Sequence, residues 1–173
     1  VARSAQKVPF GYEPPVLTRK GTLIYYDAFE HTTDLDLELA AAYASTHDFK
    51  ELVLYPLHEE TVRRMTKEPV SAFYKRLDRL VDWQQHHAGI PAKIEQFEGK
   101  RKKYTPIDSA LRHLSDQYAA PYFLYLTTEV ANQFASYDSF ESWIVKLRLV
   151  LTEEPQRMHP RLVQYQHRWS VRA

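Results

Sequence analysis

KYTPIDSALRHLSDQYAAPYFLYLTTEVANQFASYDSFESWIVKLRLVLTEEP, residues 103–155, is the stretch whose reading decides the fold. Thr105 stands as the N-cap of a helix with Pro106 in its first position, and Asp108 follows where an acid favours a helix start. Ile107, Leu111, Leu114 and Tyr118 then recur at helical spacing and make one apolar face. Tyr122–Leu126 (YFLYL) is a short apolar and aromatic run, as a strand buried on both faces requires. A polar turn (Thr127, Thr128, Glu129), a helix carrying Trp143 and a second buried strand, Leu147–Leu151, follow. Helix, strand, helix, strand at this pitch predicts parallel strands joined by right-handed crossovers.

The same pattern extends in both directions. Upstream, strands are expected at Thr22–Tyr26, Leu52–Tyr55 and Ala92–Phe97. Between the first two, a polar loop leads into a helix with Leu35, Leu39, Ala42 and Tyr43 on its apolar face. Glu59–Met65 predicts a short helix, and Ser71 to about His87 a longer amphipathic one with Phe73, Leu77, Leu80 and Val81 inward. Leu162–Trp169 alternates like a sixth strand. Residues 1–20 read as an extended lead-in with Pro9, Pro14 and Pro15, and residues 21–173 as one domain. The expected fold is α/β: a three-layer, Rossmann-like parallel sheet of five or six strands with helices on both faces.

Composition bounds the chemistry. The 173 residues carry a formal net charge of +1, which gives no argument for nucleic acid or an anionic membrane. There is no cysteine, so disulfides and thiolate sites are excluded. No apolar run approaches a membrane helix and no signal-peptide pattern opens the chain, so a cytoplasmic protein is expected. His86 and His87 point to different sides of a helix, and no His-x-x-x-His pair occurs, so no metal site is expected. His58 with Glu59 and Glu60, and the basic run Lys100–Lys103, read as solvated surface; the latter could also steer anions toward Tyr104 and Thr105. Ser109 lacks a Gly-x-Ser-x-Gly context, and no Walker-type loop occurs.

Tyr104, Thr105, Ile107, Asp108, Leu111 and Arg112, preceded by Glu98, Lys100 and Arg101, form a string that resembles the bacterial nicotinate-mononucleotide adenylyltransferases of the nucleotidylyltransferase superfamily. In that family a Tyr-Thr pair opens the helix, an apolar strand ends in Gly-x-Asp, and an aromatic residue precedes a short helix. Thr127, Thr128 and Glu129 hold the Gly-x-Asp places here, and Tyr137 takes the aromatic one, where the family stacks on a nicotinate ring. Glu154 and Pro155 stand at the family's Arg-Pro turn. The resemblance spans roughly residues 21–155 and implies the nucleotidylyltransferase fold, a nucleotide or mononucleotide ligand, and Mg²⁺ if the chain is active.

The family's catalytic loop is where this chain departs. Its Gly-Gly-x-Phe-Asp-Pro loop and His-x-Gly-His motif fall on Tyr26, Asp27, Phe29 and Glu30, then Thr33 and Asp36. Glycine is absent from residues 26–36, and Asp27, Asp34 and Asp36 would stand beside phosphates. Adenylyl transfer needs close backbone N–H groups and positive charge around the triphosphate, so catalysis is expected to be impaired. His31 is the candidate for a displaced catalytic histidine; a solvated loop residue is the plainer reading, with Thr32, Thr33 and Asp34 as a helix N-cap cluster. Ser170 and Arg172 echo the family's phosphate-gripping Ser and Arg at the chain end. Arg76 falls near a family arginine and is expected to face solvent. Three readings stay open: an impaired nucleotide binder, an active transferase with altered residues, and a non-catalytic interaction module.

Overall fold

A computed structural model describes residues 20–172. Six strands form one all-parallel sheet in the order β3-β2-β1-β4-β5-β6. They are β1 (Lys20–Asp27), β2 (Phe49–Pro56), β3 (Ala92–Ile94), β4 (Tyr122–Leu126), β5 (Leu147–Leu151) and β6 (Trp169–Val171). Between them lie α1 (Asp34–Thr46), α2 (Glu59–Met65), α3 (Phe73–His86), α4 (Phe97–Arg101), α5 (Ile107–Gln117), α6 (Thr128–Ala135), α7 (Phe140–Ile144) and α8 (Pro160–Gln164).

Alternation along the strands splits the core into two. Ile24, Tyr26, Val53, Tyr55, Leu124 and Leu149 pack against α5, α6, α7 and α8. Leu23, Tyr25, Leu52, Leu54, Tyr125 and Val150 pack with α1 and α3 on the opposite face. Side chains on a strand point alternately up and down, so a sheet covered on both faces needs apolar residues at nearly every position. β1 and β2 meet that demand, with six consecutive buried residues from Gly21 to Tyr26 and another run from Glu51 to Pro56. Gly21 is required by a close approach: a Cβ there would meet the backbone oxygen of Pro121 at 2.3 Å. Among the described residues, no helix is long and apolar enough to cross a membrane.

Five local expectations need correction. Thr105 does not cap α5: its side chain is buried, its hydroxyl accepts from Arg101 Nε at 3.0 Å and its N–H donates to Thr61 Oγ1 at 3.0 Å. Pro106 precedes the helix instead, without a side-chain cap. On α1 the inward face is Leu37, Ala40, Ala41 and Ala44, whereas Leu35 is 66% and Leu39 37% exposed. Small alanines face β1 and β2, where bulkier side chains would hold the helix away; counting large residues picked the wrong stripe. The polar turn at Thr127–Glu129 is the start of α6, with Thr127 accepting from Val130 N at 3.3 Å. Leu162 lies on α8, which Pro160 opens, and the sixth strand begins only at Trp169. The third strand is also shorter than expected, because Phe97 already belongs to α4.

Candidate functional site

Strand order reverses between β1 and β4, so the connections leaving their carboxyl ends run to opposite faces and leave a crevice. One wall is the β1–α1 connection, the other the start of α6. Phe29 turns the first connection with a left-handed φ of 60°, unusual for a bulky side chain. Its ring is fully buried against Tyr25, 4.8 Å between centroids, and its N–H donates to Asp27 Oδ2 at 3.3 Å. Thr32 Oγ1 donates to the same oxygen at 3.2 Å. Thr33 and Asp36 complete a capping box: Thr33 N–H donates to Asp36 Oδ2 at 2.9 Å and Asp36 N–H to Thr33 Oγ1 at 3.1 Å. Thr33 is thus the helix cap expected.

Arg76 staples this connection down. Expected to face solvent, it is 1% exposed. Nη1 donates to the carbonyls of Ala28 at 2.7 Å and Leu57 at 2.6 Å, and Nε to that of Ser71 at 3.0 Å. Nη2 reaches Glu59 Oε1 at 3.4 Å. Arg76 occupies the inward stripe of α3 with Phe73, Leu80 and Trp83. That position in the stripe was its sequence signal. Arg79 adds bonds to the carbonyls of Phe29 and Thr32.

The carboxylates of this region differ in environment. Glu30 accepts from Ser71 N at 3.0 Å and Ser71 Oγ at 2.9 Å, and the backbone bond chiefly holds its carboxyl below the usual range. Burial pushes Asp27 upward from its ordinary 3.8 despite the bonds from Phe29 and Thr32, and nearby Glu129 adds to the shift. A carboxyl raised in the folded state contributes stability that is fully present below its unfolded pKa and is lost as pH climbs through the folded value. Asn at position 27 can still accept both hydrogen bonds without carrying charge. Asp27→Asn is therefore expected to leave the melting temperature nearly unchanged at about pH 4 and to raise it at about pH 8. Melting curves across that range check it; a variant less stable than the parent at the alkaline end would sink the idea.

Toward α5 and α6 the crevice wall is aromatic. Tyr26 stacks on Tyr55 with centroids 5.3 Å apart. Tyr104 and Tyr137 are half-buried, and their phenols lie close enough to that of Tyr26 to help burial raise its pKa. The Arg64 guanidinium lies 4.3 Å from the centre of the Tyr104 ring. Behind them Glu98 is a buried hub. Its Oε2 accepts from Tyr55 Oη at 2.8 Å, and its Oε1 from His58 N at 2.9 Å and Thr61 Oγ1 at 2.7 Å. Burial raises this carboxyl too.

The remaining sequence candidates scatter. His31 is exposed and has no hydrogen bond among the described residues. Glu129 is exposed on the first turn of α6. Arg172 Nη1 donates to Tyr125 Oη at 2.6 Å, on the α1 face of the sheet. Asp36 also acts on that phenol, while Ser170 is exposed beside Tyr43. The structure thus gathers Asp36 with Arg172, and Tyr104 with Tyr137, at different places. Asp27, Asp34 and Asp36 do not converge on a cation position: Asp27 and Asp36 bind their own chain, and Asp34 is exposed. Among the described residues no group of three His, Asp or Glu side chains could hold a metal ion. Compared with known proteins, the chain matches no protein-family model and no curated protein sequence.

Proposed function

We propose that this chain is a nicotinate-mononucleotide adenylyltransferase-like protein that binds a mononucleotide at the carboxyl-end crevice and does not transfer adenylyl groups. One observation carries the reading. The N–H groups of Phe29, Thr33 and Asp36, which a triphosphate would need, already donate to Asp27, Asp36 and Thr33 of the same connection. The negative charge of Asp27 and Asp36 stands where phosphate charge would gather, and the ring of Phe29 fills the turn. What supports retained binding is the pair of half-buried tyrosines, Tyr104 and Tyr137, since stacking on a heterocycle requires no catalytic machinery. The fold by itself would not license this step.

Thermal melting with nicotinate mononucleotide, ATP and NAD, alongside a pyrophosphate-release assay, tests it. The mononucleotide is expected to stabilise the chain, by about 2.7 kcal/mol at a hundredfold excess over Kd, with no pyrophosphate above background. Pyrophosphate formed at roughly 1 s⁻¹ or faster would instead establish an active transferase, with His31 the first residue to mutate. No shift with any of the ligands would favour the interaction module.

A further inference from the structure

The cations around Tyr104 are clustered. Arg63 and Arg64 of α2 and the four consecutive cations from Lys100 to Lys103 are held at one corner by two tethers. Thr105 N–H donates to Thr61 Oγ1 at 3.0 Å, and Arg64 lies over the Tyr104 ring. At this corner only Arg63 is ion-paired among the described residues, with Glu60. Such clustering in a chain of formal net charge +1 leaves the rest of the sequence acidic on balance. One of the cations is also held in place: Arg101 donates from Nε to Thr105 Oγ1 and lies over the Phe97 ring. Fixed, unpaired positive charge attracts anions with little ordering cost.

We propose that this corner is a phosphate subsite, holding the phosphate ester of a ligand whose ring lies on Tyr104. The proposal rests on the mononucleotide reading above and adds its orientation. Asp27 and Glu30 repel phosphate on the α1 side of the crevice and Glu129 does so at the start of α6, so the ester points toward α2 and α4. The exposed large apolar side chains, Leu35, Leu39, Tyr74, Val145, Met158 and Val163, all lie outside these segments. The corner therefore has no anchor for a lipid surface and fits a soluble phosphate ester.

Calorimetric titration of the full chain with nicotinate mononucleotide, nicotinate riboside and inorganic pyrophosphate tests the assignment. Both Arg64 and Lys103 are exposed, so R64Q/K103Q is expected to fold, and Lys146→Gln serves as a remote control. The mononucleotide is expected to bind the parent about tenfold more tightly than the riboside, and the double variant to bind the two alike. Pyrophosphate is expected to displace the mononucleotide and not the riboside. Equal affinity of mononucleotide and riboside for the parent overturns the phosphate subsite and leaves the ring site standing. An equal loss of both ligands in the double variant overturns it as well, because Arg64 would then act on the ring. Pyrophosphate binding that the double variant abolishes, with neither nicotinate compound bound, keeps the subsite and removes the mononucleotide reading. Silence from all three ligands removes both.

Discussion

Arg76→Ala is expected to destabilise the chain by about 3–5 kcal/mol, the range measured when one member of a buried charged set is removed. The guanidinium is a cross-brace rather than an ion pair alone. It ties the connection after β1 at Ala28, the connection after β2 at Leu57 and the lead into α3 at Ser71. Removal strands three carbonyls and leaves Glu59 without its buried cation. Each unpaired buried acceptor costs about 1–3 kcal/mol, partly recovered where water enters. At about 2–4 °C per kcal/mol for a chain of this size, the melting temperature should fall by roughly 10 °C. Arg76→Met separates charge from packing: it fills the volume yet satisfies no carbonyl, so it should remain well below the parent. Urea titration reads both variants, and a loss under about 1 kcal/mol in alanine would mean that water replaces the guanidinium without difficulty.

Glu98→Ala is expected to cost about 3 kcal/mol, whereas Glu98→Gln should cost little. The carboxylate accepts three hydrogen bonds, from Tyr55 Oη, His58 N and Thr61 Oγ1, and alanine leaves those donors unpaired behind the crevice. Glutamine can keep the whole set. Its carbonyl takes the two bonds now made to Oε1, and its amide donates to the Tyr55 hydroxyl, which can rotate to accept. Because burial raises the Glu98 carboxyl, the neutral amide should gain on the acid as pH rises through that folded pKa. Measuring both variants at two pH values separates the charge from the hydrogen bonds. Equal losses for alanine and glutamine would show that the cluster needs a negative charge.

Particular residues show what could be read in advance. β4 and β5 were visible as apolar runs, and both the parallel arrangement and the covering of the sheet on two faces followed from their spacing and composition. Thr33 was legible as a cap within the cluster of Thr32, Thr33 and Asp34 because capping is a local arrangement, while its box partner Asp36 was not read as one. Thr105 fitted the same local rule and broke it, since its hydroxyl and N–H are taken by Arg101 and Thr61. The α1 face was missed for another reason. The pattern of large apolar residues pointed to Leu35 and Leu39, while the space between helix and sheet admits only alanines on much of that face.

The candidate site divides along the same line. That glycine is missing from residues 26–36 and that acids stand there is a property of the chain, and a weak phosphate cradle follows from it directly. Tyr104 and Tyr137, 33 positions apart in sequence, become neighbours only when α5 and α6 pack against one sheet face. Arg76 and Glu98 look like ordinary surface charges on amphipathic segments until the connections after β1 and β2 close over them. Alternation, helical periodicity and capping are short-range, so the chain itself settled its α/β class, its parallel strands and its lack of a glycine loop. The partners of a buried charge are set by what packing brings within about 3 Å, and that distance exists only in the folded chain.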